Sequence, residues 1–280
     1  MPQLMNKTDG YVYLAIDDPV TAWAAVRGVL VSRRVTSPEA GFVSRWFAGL
    51  IQAGNEAKLQ NELAIEAIRA QRYSSQVSRL SGIYVFEDIE AARKAEEWGV
   101  FFTAKNLAEL SLLGVEARTR VDANWISAHL RDTRVLQDHE LGWVDHYWGG
   151  RPYPAKQPVW ESIVEGRAFI LGTELRNRAL ERVRSEFPES MAIVEVSRAA
   201  AWIGSDYGNI SGFLFDRGDA YEFTYLLNGV DTNDPEFRRR LIEEKAIVNP
   251  EWLRPDQDGN FGKRPDLRSY GFRVPKFPQG

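Results

Sequence analysis

The sequence predicts an α+β protein with a split, mixed or antiparallel sheet core, flanking helices and a C-terminal β-containing extension. Three observations predict it. Residues 11–28 and 83–99 each read as a short strand running into an N-capped helix that stops at a glycine. Residues 115–121 alternate apolar with charged side chains, as a half-buried strand does. Residues 204–225 are rich in glycine and aromatics and hold two further strand-like runs.

Taken in order, residues 11–16 alternate weakly as a strand, and Asp17-Asp18-Pro19 then supplies an N-cap and a proline for the first helical turn. Trp23 and Val26 give that helix an apolar face; Gly28 ends it before a strand at 29–31. From Phe42 to about Arg72 the pattern is helical, through Phe47, Leu50 and Ile51, then Leu59, Leu63, Ile65 and Ile68, with a break near Gly54-Asn55. Residues 83–86 form a strand, Asp88 caps a helix reaching Trp98, and 100–102 resume as a strand.

Beyond 115–121, Asp122 opens a short helix or loop, and Gly149-Gly150 ends the aromatic run 143–148 in a turn. Pro152, Pro154 and Pro158 keep the chain extended. Residues 160–164 and 167–171 flank Glu165-Gly166, which reads as a tight hairpin turn. A helix is predicted over 174–187, and strands over 192–196, 210–215 and 221–226. The boundary near 175 divides the chain into a first domain, 1–175, and an extension, 176–280, packed on it.

A chain of 280 residues with 44% hydrophobic and 12% aromatic content buries enough apolar surface to fold without a staple. The absence of cysteine excludes disulfides, thiolate nucleophiles and cysteine-ligated metal sites. The sequence shows neither a leader pattern nor an apolar run of membrane-spanning length, so a cytoplasmic protein without a membrane partner is expected. A net charge of −4 argues against a protein that coats nucleic acid non-specifically. The C-terminal tail nevertheless carries Lys263, Arg264, Arg268, Arg273 and Lys276 against one acid, Asp266, among Phe261, Tyr270, Phe272 and Phe277. It reads either as a contact for an acidic partner or as an arm packing its aromatics on the body.

His129, His139 and His146 fall in one region without the helical i, i+4 spacing of a zinc site, and no metal is expected. A P-loop, a Gly-x-Gly-x-x-Gly turn and a Gly-x-Ser-x-Gly elbow are absent, which removes the anchors of kinase, dehydrogenase and lipase readings.

Four motifs stand in order along the chain: Ser78-Arg79-x-x-Gly82-x-Tyr84, then Asp122, then Tyr147-Trp148-Gly149-Gly150, then Pro158-Val159-Trp160-Glu161. This ordered set, over roughly residues 10–172, resembles the ADP-ribosyltransferase superfamily, and within it a little-characterised group of bacterial and phage proteins. The resemblance implies a sheet core of ADP-ribosyltransferase type. It also implies cleavage of the nicotinamide–ribose bond of NAD and transfer of ADP-ribose to a macromolecular acceptor (RNA, DNA or protein), as in a toxin or a phage–host conflict factor.

Such a reaction passes through an oxocarbenium-like transition state, which a carboxylate on a ribose hydroxyl stabilises. Glu161 is the candidate for that carboxylate. Arg79 is the candidate for a bidentate grip on the pyrophosphate, and Tyr84 and Tyr147 for an aromatic wall against nicotinamide. Tyr13 falls where the superfamily places a first-strand Arg, His or Tyr, and Asp122 completes the NAD-binding set. The position two residues before Glu161, which helps choose a protein acceptor in some members, holds Val159, so the acceptor stays open. Each residue also has an ordinary reading. Glu161 reads equally as an exposed strand carboxylate, Arg79 as a partner of Glu87 or Asp88, Tyr84 as core, and Asp122 as a helix cap. The alternative functions are a non-catalytic accessory or structural protein that keeps the fold, and an NAD glycohydrolase.

Overall fold

The computed structural model describes residues 8–32, 41–52, 56–99, 101–130, 133–243, 250–254 and 261–276. Strand β1 (Gly10–Tyr13) leads to helix α1 (Pro19–Arg27). The Asp18 carboxylate accepts from the Thr21 N–H at 2.7 Å, and Gly28 closes the helix at φ 85°. Strand β2 (Val29–Ser32) follows. Phe42 and Val43 do not begin a helix as expected; they form a short strand, β3 (Phe42–Val43), paired with Phe213 and Gly212. Helices α2 (Arg45–Gln52) and α3 (Glu56–Arg72) carry the rest of that pattern, and the break expected at Gly54-Asn55 lies outside the described residues.

Strand β4 (Ile83–Phe86) runs into helix α4 (Ile89–Ala95), where the Asp88 carboxylate accepts from the Ala91 N–H at 2.7 Å. The strand expected at 100–102 is corrected. The Phe102 N–H closes a turn on the Gly99 carbonyl at 3.0 Å, Phe101 is exposed, and Val100 lies outside the described residues. Strand β5 (Leu107–Asp122) is longer than its alternating part, because its first half pairs with β1. Helices α5 (Asn124–His129) and α6 (Val144–Trp148) connect it to strand β6 (Trp160–Ile170).

The hairpin expected at Glu165-Gly166 does not form, since β6 is one continuous strand. Gly166 takes φ 141° inside it, and the irregularity that a local turn signal would mark sits opposite, where β5 shifts register between Leu113 and Ala117. After helix α7 (Glu174–Glu186), the strand expected at 192–196 is instead part of helix α8 (Met191–Trp202). Ile193, Val194, Val196, Ser197, Ala199 and Ala200 are all buried, and an apolar run covered on most sides does not reveal its period. Strands β7 (Ile210–Asp216) and β8 (Ala220–Leu227), helix α9 (Pro235–Glu243) and strand β9 (Phe272–Pro275) complete the chain.

The result is an α+β fold with two sheets, whose strand pairings among the described residues are all antiparallel. In the five-stranded sheet β6 is central. It pairs with β5 on one edge; on the other it pairs with β4 through Glu161–Val164 and with β2 through Gly166–Phe169. Strand β1 joins β4 to β5 and closes the sheet into a small barrel. The second sheet has the order β3-β7-β8-β9.

The main core takes Val12, Trp23, Val85, Leu110 and Val164 together with Leu175, Val183, Ile193 and Phe223, so residues on both sides of position 175 bury one another. The C-terminal tail packs on the body: Phe261 lies edge-on to Tyr207, and Phe272 stacks on Phe223. Arg273 and Lys276 pair with Asp219 and Asp216, while Phe277 lies outside the described residues. Among the described residues no helix is long and apolar enough to cross a membrane.

Candidate functional site

The turn before β4 brings the first motif together. Gly82 donates to the Ser78 carbonyl at 2.9 Å and lies so close to β6 that a Cβ there would sit 2.2 Å from Ile163 Cγ2. Only hydrogen fits. The turn also folds Arg79 beneath the strand it precedes, where the Tyr84 hydroxyl donates to the Arg79 carbonyl at 2.8 Å.

The side chain of Arg79 is buried among groups from three other elements. Its Nε and Nη2 donate to the two Glu62 oxygens at 2.9 and 2.8 Å, a bidentate grip on a carboxylate that α3 delivers. Its Nη1 donates to the Tyr147 hydroxyl of α6 at 2.6 Å and stands 3.7 Å from Glu161 Oε1 on β6. The guanidinium carbon lies 5.3 Å from the Tyr84 ring centroid and 5.4 Å from that of Tyr147.

Sheet register explains why Glu161 faces this group. Directly opposed residues share a face, and Phe86 and Val121 oppose Glu161 while Tyr84 opposes Ile163. Tyr84, Phe86, Val121, Glu161 and Ile163 therefore point to one side, where Val121 and Ile163 pack with Ile65 of α3 and Tyr147 of α6, and Phe86 packs with Ala91, Ala92 and Ala95 of α4.

Two buried carboxylates meet one guanidinium here, and the environment of Glu161 follows from that imbalance. Burial pushes its carboxyl up to about 7. Arg79 and a hydrogen bond from Tyr147 pull it down, whereas Glu62 and Asp122 push it further up. Burial also holds the Tyr84 and Tyr147 phenols above the usual tyrosine range, so both stay protonated near neutral pH.

Four of the six residues singled out from the sequence, Arg79, Tyr84, Tyr147 and Glu161, thus form one cluster. Asp122 lies one residue along β5 from Val121, and its oxygens are fully engaged. Oδ1 accepts from the Asn124 N–H, Asn124 Nδ2 and the Val159 N–H at 3.0, 2.9 and 3.0 Å, and Oδ2 accepts from the Tyr153 N–H at 2.8 Å. This buried carboxylate pins the start of α5 and the segment leading into β6. Tyr13 stands apart, its hydroxyl donating to the Ala92 carbonyl at 2.8 Å and its ring edge-on to Phe86 and Phe102. Burial and the neighbouring Glu96 push its phenol up to about 12.

Two alternatives are settled by these contacts. Glu87 accepts from Ser162, Arg118 and Arg120, and Asp88 caps α4, so neither pairs with Arg79. Glu161 is 5% exposed, not a surface carboxylate.

Glu62 was not among the residues read from the sequence, although a signal existed. It falls three positions from both Leu59 and Ile65, on the apolar stripe of α3, where a carboxylate needs a partner. Trp46 was also missed. Half-buried, it bridges Tyr84 at 5.8 Å and Phe102 at 5.6 Å, and Phe102 in turn meets Tyr13 at 5.2 Å. A row of aromatic rings therefore runs from the Arg79 cluster to Tyr13.

The histidines serve other ends. His129 stacks between Trp125 and Trp143 at centroid distances of 5.7 and 5.2 Å, and His146 Nδ1 lies 3.4 Å from Arg151 Nη1. Among the described residues no group of three or more acidic or histidine side chains is placed to hold a metal ion.

No protein-family model matches the chain, and no curated protein matches its sequence. The chemistry of the site therefore rests on its own geometry: a buried carboxyl that titrates near neutrality, held between a guanidinium and a phenol beside half-buried aromatic rings.

Proposed function

We propose that this chain is an NAD-consuming mono-ADP-ribosyltransferase that acts on a macromolecular acceptor. One observation carries the reading: the Arg79 guanidinium and the Glu161 carboxylate, from motifs far apart in the sequence, stand 3.7 Å apart on one side of the sheet with Tyr84 and Tyr147 around them. Glu161, when ionised, supplies the negative charge that an oxocarbenium-like ribose calls for. Tyr84 and Trp46 supply aromatic surface for a nicotinamide ring. Because Glu62 takes up the fork of Arg79, the arginine acts on Glu161 in this reading rather than on the pyrophosphate.

A second reading, a non-catalytic protein that keeps the fold, is favoured by a different observation. Arg79 and Glu161 are 3% and 5% exposed, as in a buried ion network that ties α3 and α6 to the sheet.

The test is nicotinamide release from NAD by the purified protein, with and without RNA, DNA or cell lysate, comparing wild type with Glu161→Gln. Transfer requires release that depends on Glu161 and label from NAD that moves onto one of those acceptors. Release without transfer identifies a glycohydrolase. Equal release from both proteins would remove the role given to Glu161, and release from neither leaves the non-catalytic reading.

A further inference from the structure

At the other end of β6 lies a second site. A cavity of about 260 Å³ opens between the C-terminal end of α1, β2, β6 and helices α7 and α8, lined among others by Arg27, Phe169, Arg176, Arg198 and Trp202. Phe169 and Glu161 stand about 26 Å apart along the strand at roughly 3.3 Å per residue. The two sites are separate.

The lining holds three guanidinia and no carboxylate. Arg27 forms its floor, with its side chain buried, Nη2 donating to the Ser205 carbonyl at 2.7 Å and an ion pair to Asp206 at 3.8 Å. Arg198 donates to Glu195 at 2.5 Å. Arg176 differs from both. Its hydrogen bond is a long one, from Nη2 to the Val26 carbonyl at 3.3 Å, and among the described residues it has no carboxylate at ion-pair distance. Its guanidinium lies over Gly28, where a Cβ would come within 3.1 Å of both Cζ and Nη2, so the glycine leaves the cation room to face the cavity. Burial and the Arg198 guanidinium hold Arg176 below the usual arginine range, and the more distant Glu195 carboxylate offsets this only in part. The rim is apolar and planar: Trp202 is 48% exposed, and Phe169 is half-buried.

We propose that this cavity binds a small phosphomonoester, its phosphoryl group held by Arg176 and Arg198 and its planar body resting on Trp202 and Phe169. Guanidinium forks match phosphate oxygens with two parallel hydrogen bonds, and a phosphomonoester offers three oxygens and close to two negative charges. A nucleoside monophosphate has both the anion and the ring. At about 260 Å³ the cavity falls below the roughly 300–1,000 Å³ that encloses drug-sized ligands, so the phosphoryl group enters it while the ring rests on its rim.

Isothermal titration at low salt tests this with AMP, adenosine, inorganic phosphate and a single-stranded oligonucleotide as probes. The proteins are wild type, Arg176→Met, Arg176→Lys, Arg198→Met and Glu161→Gln, each checked for a single cooperative melting transition. The expected result is AMP binding to wild type and to Glu161→Gln, no measurable adenosine binding, and competition by phosphate. Affinity should fall about tenfold or more in each Met variant and less in Arg176→Lys, which keeps the charge without the fork. Three results would overturn the proposal: no AMP binding to wild type, AMP binding indifferent to Arg176 and Arg198, or an oligonucleotide bound more tightly than AMP through the same two arginines, which would mark a nucleic-acid surface.

Discussion

Arg79 Nη1 stands 3.7 Å from Glu161 Oε1, and the Tyr147 hydroxyl links the two by accepting from the arginine and hydrogen bonding to the carboxylate. Both side chains are almost wholly buried. The same guanidinium is gripped at two points by Glu62, so one cation balances two acids in a region nearly closed to water. Burial above all, and this imbalance after it, sets the behaviour of Glu161.

Stability should fall as pH rises from about 4.5 to about 7, because the Glu161 carboxyl is raised to about 7 in the folded protein from the 4.5 of an unperturbed glutamate. In that window the unfolded chain has released the proton and the folded one retains it, so folding takes up a proton and each rise in pH costs stability. The full effect is on the order of 3 kcal/mol, by the linkage of pKa to folding. The difference between wild type and Glu161→Gln in chemical denaturation, measured at pH 5 and pH 8, isolates this residue. A difference that does not change with pH would mean that Glu161 is not the buried neutral acid described.

Replacing Arg79 by Met should destabilise the protein by about 3–5 kcal/mol, the usual cost of leaving a buried charge without its partner. Glu62 and Glu161 would both lose their cation, and the part of the loss that belongs to Glu161 should ease as the pH falls below about 7, where that carboxyl is neutral. Arg79→Lys should fall between the two, since an ammonium keeps the charge and cannot form the bidentate contact with Glu62. Denaturation midpoints for the three proteins at pH 5 and pH 7.5 decide the matter, and a Met variant as stable as wild type at both would sink it.

Gly82→Ala should cost about 1–3 kcal/mol, the range for forcing an extra methyl into a packed core. Its Cβ would meet Ile163 Cγ2 at 2.2 Å and the Ser78 carbonyl oxygen at 2.9 Å. Gly142→Ala is the control, for nothing lies within 4 Å of a Cβ at that position. Equal melting temperatures for the two variants would show that the approach of the β4 turn to β6 is looser than it is here.

If the protein turns over NAD, Glu161 acts as the carboxylate, and kcat/KM should climb with pH through about 7 as that group ionises. Glu161→Gln should lower kcat roughly 10²–10³-fold, the effect of removing one electrostatic contact to a transition state. A rate flat from pH 6 to 8 would assign the chemistry to another group.

Much of the local structure was legible in the chain. Asp18 and Gly28 bound α1, and Asp88 starts α4, because a capping carboxylate or a left-handed glycine acts through neighbours in sequence. The strands β7 and β8 are rich enough in aromatic residues to be placed within a residue or two. The apolar run at 192–196 is ambiguous because, once buried on most sides, it has no polar face to declare its period. Glu165-Gly166 carries a turn signal that pairing with β5 and β2 overrides.

The cluster of Arg79, Tyr84, Tyr147 and Glu161 follows the same division. The four side chains and their order along the chain stand in the motifs of the sequence, whereas Glu62 and Trp46 carry no such mark. That Glu161 shares a sheet face with Tyr84, that α3 delivers Glu62 to Arg79, and that Tyr13 stands apart beside Ala92 and Phe102 emerges once the chain is folded. Caps and turns depend on bonds between near neighbours. Burial and charge balance depend on strand register and helix placement, which the whole fold sets at once.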